Sequence, residues 1–356
     1  MKNTYRKRRD ALRRKLCERN LDAMLISYAA NRYYLSGFEL HDVQFNETAG
    51  YLLVAADGRD MLLTDGRYEE VAESLLPGQV RIYRHNKGET VAGALRSLGK
   101  KIAYEADALS AKFASELFAY ASDLAFVPGD SLVSALRLIK DAQEIAALER
   151  SFALNHALLS WIETELAFGQ SETEIAWKIE SYFREHGASE LAFPSIVAVN
   201  ANASLPHAQP GASVVTEPSL VLIDVGCRVD GYCSDQTRTF WLGSTRDERF
   251  ETTKARVAEA QRAAIDAMKP GVRLCDIAAK AKAVFEKYGV ADAFLHSLGH
   301  GVGLETHEGP SFAKNAEDVL LPGMVVTVEP GLYYPNWGGV RIEHTVLVEE
   351  NGVRVL

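Results

Sequence analysis

The sequence predicts an α+β protein in two parts: a small α/β domain over residues 1–130, then an internally duplicated α+β domain over residues 131–356. Three observations carry this. At 356 residues the chain is long for one hydrophobic core. Short apolar runs alternate with helical patterns over the first 125 residues or so, as in a small α/β domain with a mixed sheet. Beyond residue 140 the order helix, helix, strand hairpin occurs twice, which points to duplication.

The elements read in order as follows. The start, MKNTYRKRRDALRRKLCER, carries nine basic residues against Asp10 and Glu18 and reads as a first helix with a solvated basic face. The runs DAMLISY, YLLVAA, DMLLTD, QVRIYRH and KIAYEA read as strands, with RYEEVAESLL, VAGALRSL and SAKFASELFAYA as helices between them. From Leu132 a long helical stretch runs to about residue 166 with a break near Lys140. The next helix opens on the capping pair Ser171 and Glu174 and closes at Gly187, which suits a left-handed cap. FPSIVAV, SLVLIDVG and YCSDQTRTFWL follow as strands, then helices over roughly 247 to 268 and 275 to 288. MVVTVEPGLYY and GGVRIEHTVLVE close the chain as strands.

Composition narrows the function classes. The chain is 47% hydrophobic and 24% charged, as soluble globular proteins are. No apolar run nears the roughly eighteen residues of a membrane span, and no signal-peptide pattern opens the chain, so a cytoplasmic protein is expected. A net charge of -9 argues against nucleic acid as the main partner. Cys17, Cys227, Cys233 and Cys275 show no CxxC spacing and read as reduced thiols.

The chemistry-bearing signal is a set of carboxylates inside apolar strands. In DVGCRVDGYCSDQTRT a hairpin turning at Val229 and Asp230 would set Asp224 directly opposite Asp235. In EPGLYYPNWGGVRIE the analogous pairing opposes Glu329 and Glu343. Buried carboxylates facing each other are costly unless cations lie between them. Four such groups match two divalent ions, and oxygen-rich ligation suits Mn, Co or Zn.

The histidines sort differently. In HSLGHGVGLETHEGP, His296 and His300 have the spacing of a zincin helix, but Ser297 stands where the zincin base belongs. Gly299, Gly301 and Gly303 also disfavour a helix, which leaves one histidine as a ligand candidate and the others as substrate-orienting candidates. His207, in ASLPHAQPG, sits in a loop suited to a functional side chain. His344 alternates away from Glu343 and reads as structural. His41, His85, His156 and His186 carry no motif.

Together, LIDVGCRVDGYCSDQTRTF, HSLGHGVGLETHE, VVTVEPGLYY and GGVRIEHTVLV resemble the pita-bread metallopeptidase family, in its proline-specific branch of aminopeptidase P and prolidase. The resemblance spans essentially the whole chain and implies a creatinase/prolidase-type amino-terminal domain before a dinuclear catalytic domain. It implies metal ligands Asp224, Asp235, His300, Glu329 and Glu343, with Asp235 and Glu343 bridging two divalent ions. It implies hydrolysis of the amino-terminal Xaa-Pro bond of peptides or dipeptides by a metal-bridging hydroxide. Glu329 would also handle the water's proton, while His207 and His307 bind substrate and the tetrahedral intermediate. Arg341 shares a strand face with Glu343 and is placed to reach substrate or a ligand carboxylate.

The implied substrate is a small peptide with proline second. An imide bond has no N–H and a fixed ring, so a pocket for the ring is expected; Phe193 and Tyr232 are candidates for it, each equally readable as core. The resemblance further implies a homodimer, with YLSGFELHDVQF, including His41 and Asp42, as the segment that meets a partner's cleft. Three alternatives stand beside it. A methionine-aminopeptidase-like enzyme is disfavoured by the amino-terminal domain, and creatinase by the full ligand set. The third is a non-catalytic binding protein of the same fold.

Overall fold

The apolar runs near the start of the chain pair into a six-stranded mixed sheet. Strand Ala23–Ile26 lies inside it, antiparallel to Gly50–Ala55 and parallel to Lys101–Tyr104. Its four residues are all buried, as expected of a strand covered on both faces. The computed structural model describes residues 2–42, 44, 47–313 and 316–356. It divides into two units, Met1–Arg137 and Leu138–Leu356.

Within the first unit, helices Lys2–Glu18, Glu69–Leu75, Lys87–Leu98 and Ala111–Tyr120 fall where the sequence puts them. Helix Ala29–Ser36 was not anticipated. Six of its eight residues are buried, so it has no polar face to create a 3.6-residue period. It ends at Gly37, whose φ of 78° needs no Cβ. Arg32 on this helix is fully buried and donates to the carbonyls of Gly50 and Glu39 and to Asp42, tying down Glu39 and Asp42 of the segment expected to meet a partner. Val43 and Phe45 of that segment lie outside the described residues.

The expected break near Lys140 separates helices Ser131–Arg137 and Ala142–Glu165, the second opened by an Asp141–Glu144 capping box. In the second unit, helices Ala142–Glu165 and Glu172–Glu185 precede the antiparallel strands Ile196–Val199, Ser219–Val225 and Gln236–Leu242. Helices Glu248–Ala267 and Leu274–Lys287 then precede a five-stranded sheet that includes His300–Gly301, Val325–Val328 and His344–Glu349. The order helix, helix, antiparallel strands therefore repeats, as a duplicated domain requires. The Ser171–Glu174 capping box is formed, and Gly187 adopts a φ of 102°.

The first hairpin corrects the expected register. Its turn is Asp230–Gly231, with φ of 51° and 85°, Val229 pairs with Tyr232, and Thr237 stands opposite Asp224. The offset from the expected pairing is two residues, so the face is preserved and Asp224 and Asp235 become diagonal neighbours. In the second hairpin Val328 pairs with His344 and Gly331 with Arg341, the register that opposes Glu329 and Glu343. All four cysteines are free.

Candidate metal centre and active site

The two hairpins bring their carboxylates to one place. Asp224, Asp235 and Glu343 each offer an oxygen within 4.8 Å of the others, and all three residues are buried. Glu329 and His300 adjoin them: His300 Nε2 lies 3.2 Å from Glu329 Oε1 and 3.5 Å from Asp235 Oδ2. His300 Nδ1 is 3.1 Å from its neighbour's carbonyl at Gly301. A donor at Nδ1 leaves Nε2 with the lone pair a metal needs.

These residues fit divalent cations on physical grounds. Burial, followed by repulsion from Glu343, Asp224 and Glu329, pushes the Asp235 carboxyl well above its usual range. Burial, then Glu329 and Asp224, does the same to Glu343. Asp224 Oδ1 and Glu343 Oε1 are buried with no hydrogen-bond partner among the described residues, an unfavourable state for carboxylate oxygens unless a cation faces them. Their other oxygens are held, Asp224 Oδ2 by Arg341 at 2.7 Å and Glu343 Oε2 by Thr237 at 2.9 Å. For Glu329, burial opposes ionisation, but the hydrogen bond and charge of His300 prevail and lower its pKa.

The cluster opens into a cavity of about 570 Å³ lined by Asp224, Asp235, His300 and Glu329 together with His207, His307 and Arg341. The expected ligands and substrate-facing residues thus meet at one cavity, with Glu343 buried behind its wall. His307 lies close to His300, ring centroids 4.1 Å apart, and burial and then the charge of His300 lower its pKa. Phe193 lines the cavity beside Pro194 and Ile196. Tyr232 is a core residue whose hydroxyl donates to Glu144.

The glycines of HSLGHGVGLETHEGP permit close approach of backbones. A Cβ at Gly299 would lie 2.1 Å from the Thr327 carbonyl oxygen, and one at Gly301 2.0 Å from that of Gly309. Neither distance is sterically possible, so His300 reaches its position on a two-residue strand, His300–Gly301, and no helix forms.

Comparison with known proteins identifies the scaffold. The model of metallopeptidase family M24 matches residues 138–350. The chain belongs to that family. Its amino-terminal part, residues 8–139, matches the Creatinase/Prolidase N-terminal domain. The M24 chain is 34% identical over 338 residues to an Xaa-Pro dipeptidase of Pyrococcus horikoshii, covering 95% of this chain and 93% of that one. Among solved structures it resembles an Xaa-Pro dipeptidase from Bacillus anthracis, with a TM-score of 0.91 at 32% identity and coverage of 99% and 97%. It also resembles an X-Pro aminopeptidase from Thermotoga maritima, with a TM-score of 0.83 at 29% identity and coverage of 95% and 96%.

The M24 cavity also engages residues that motif reading passed over. Tyr333 is almost fully buried and accepts from Arg341 Nη1 at 2.7 Å, while its oxygen lies 2.8 Å from His296 Nε2. Arg341 Nε donates to Thr237 Oγ1, so one guanidinium braces both Asp224 and the threonine that holds Glu343. Strand alternation contained the signal, since Gly331 pairs with Arg341 and Tyr333 stands two residues after Gly331, on the same strand face. Lys140 and Glu308 form a buried ion pair at 2.7 Å, for which the sequence offered no cue.

Proposed function

We propose that this M24 chain is a metal-dependent exopeptidase that hydrolyses the Xaa-Pro bond of dipeptides and short peptides. The observation that carries the proposal is the buried carboxylate cluster of Asp224, Asp235 and Glu343, with His300 and Glu329 beside it, in a cavity large enough for a small peptide. Proline specificity draws on the dipeptidase relatives and on the apolar wall of Phe193, Pro194 and Ile196. These side chains can hold a pyrrolidine ring without requiring the N–H that an imide lacks.

In this reading Asp224, Asp235, His300, Glu329 and Glu343 would hold two divalent ions. Asp235 belongs to the buried carboxylate cluster, and its Oδ2 also lies 3.5 Å from His300 Nε2. When bound, the ions supply acidity to the attacking water and polarise the scissile carbonyl. Glu329 Oε1 accepts a hydrogen bond from the Thr327 hydroxyl and also faces His300, so Oε2 takes the proton of the water and passes it towards the leaving imide nitrogen. Arg341 holds Asp224 in orientation, and His207 and His307 donate to the developing oxyanion.

Manganese, the homodimer and the cytoplasm belong to the same proposal. The free thiols Cys17, Cys227, Cys233 and Cys275 suit a reducing compartment. No helix among the described residues is long and apolar enough to cross a membrane.

A cleavage panel tests the reading. Metal-loaded protein should hydrolyse Ala-Pro and release alanine from Ala-Pro-Ala while leaving Ala-Ala nearly untouched; equal rates on Ala-Ala would defeat the proline assignment. His307→Ala should lower kcat by roughly 100-fold with metal content unchanged, as measured by elemental analysis beside steady-state kinetics.

A further inference from the structure

The loop between strands Ile196–Val199 and Ser219–Val225 carries three residues of the cavity wall, Pro206, His207 and Gln209. Both ends of this loop are tied to one buried side chain. Glu172, the first residue of helix Glu172–Glu185, is wholly buried and does not itself line the cavity. Its Oε1 accepts from the backbone N–H of Val199 at 2.7 Å and from Asn202 Nδ2 at 2.9 Å. Its Oε2 accepts from the N–H of Gly211 at 2.9 Å. All three donors belong to the loop or its root.

The helix adds its own first turn. The N–H groups of Glu172 and Thr173, which have no partner inside the helix, donate to the carbonyls of Ser213 and Gly211. Asn202 also donates to Ser213 Oγ at 2.9 Å, linking the near and far arms of the loop. At its tip, the Pro206 carbonyl accepts from Arg341 Nη1 at 3.3 Å. A buried carboxylate is tolerated when its lone pairs are satisfied, and here the partners that satisfy it are those that define the path of the loop.

We propose that Glu172 is a positioning residue for catalysis, holding both arms of the 200–211 loop so that His207 stands at the cavity wall. This rests on the reading of His207 as a donor to the oxyanion. Glu172→Gln is close in shape but places an NH₂ against the N–H of Gly211 or of Val199, so a hydrogen bond to one arm is replaced by a contact between two donors. The metal ligands lie on other elements and stay in place.

The test is a double-mutant cycle on the full-length, metal-loaded protein: Glu172→Gln, His207→Ala and the pair, with Ala-Pro as substrate and metal content measured throughout. Glu172→Gln is expected to lose on the order of tenfold in kcat/KM, mainly in kcat, at unchanged metal content. In the His207→Ala background the same change should cost less than about twofold, because residues that act through one another are non-additive. A tenfold loss in both backgrounds overturns the proposal for Glu172 alone. Full activity of His207→Ala overturns the reading of His207 and the proposal with it. Asn202→Ala, which removes one of the three bonds to Glu172 together with the link to Ser213, should show a loss that also vanishes in the His207→Ala background, and a loss that persists there counts against the proposal.

Discussion

Asp235→Asn is expected to abolish Xaa-Pro hydrolysis and, at the same time, to make the metal-free protein more stable. The loss of activity should exceed about 100-fold, because outer partners of metal ligands alone are worth 10–100-fold and Asp235 is read as a ligand shared by both ions. The gain in stability follows from the cost of ionising the Asp235 carboxyl in the absence of metal, which comes first from burial and then from repulsion by Glu343, Asp224 and Glu329. An uncharged amide of the same shape removes that repulsion. Thermal melts of both metal-stripped proteins at pH 8, beside elemental analysis of the loaded ones, check the two halves. A variant that melts below the metal-stripped parent would contradict the electrostatic account.

Metal removal should have an effect that grows with pH. Asp235 and Glu343 have folded-state pKa values raised above their ordinary values of 3.8 and 4.5. Above those ordinary values the folded metal-free protein holds protons that the unfolded chain has released. Its stability therefore falls as pH rises through the window up to the raised values. Metal binding needs the carboxylates deprotonated, so it releases protons and recovers the lost stability. A thousandfold excess of free metal over Kd corresponds to about 4 kcal/mol per site, or roughly 10 °C in melting temperature for a domain of this size. The melting difference between loaded and stripped protein should be small near pH 5 and larger near pH 8. Calorimetric titration in buffers of different ionisation enthalpy should register net proton release.

Much of this centre was legible because strands have a period of two. Asp224 lies in strand Ser219–Val225, Asp235, Glu329 and Glu343 stand in the short gaps between strands, and hairpin pairing brings them together without any tertiary knowledge. A turn at Val229–Asp230 gives a first register two residues from the observed one, whose turn, Asp230–Gly231, is the pair best suited to two residues of positive φ. The face survived since only an odd offset would have reversed it. Residues that act across long sequence distances were less accessible. Glu172 lies 39 residues from Gly211, and Lys140 lies 168 from Glu308; no periodicity within either element points to the other. Helix Ala29–Ser36 escaped for a different reason, since a helix buried nearly all round loses the amphipathic pattern by which helices are read.

The central claim is that this M24 chain cleaves Xaa-Pro bonds with divalent ions held by Asp224, Asp235, His300, Glu329 and Glu343. The most direct measurement strips the protein of metal, titrates it with Mn, Co or Zn, and follows Ala-Pro hydrolysis against bound metal per chain. The account predicts no hydrolysis without metal and a rise that saturates at two bound ions per chain. Full hydrolysis by the stripped protein, or saturation unaffected by Glu343→Ala, would contradict it.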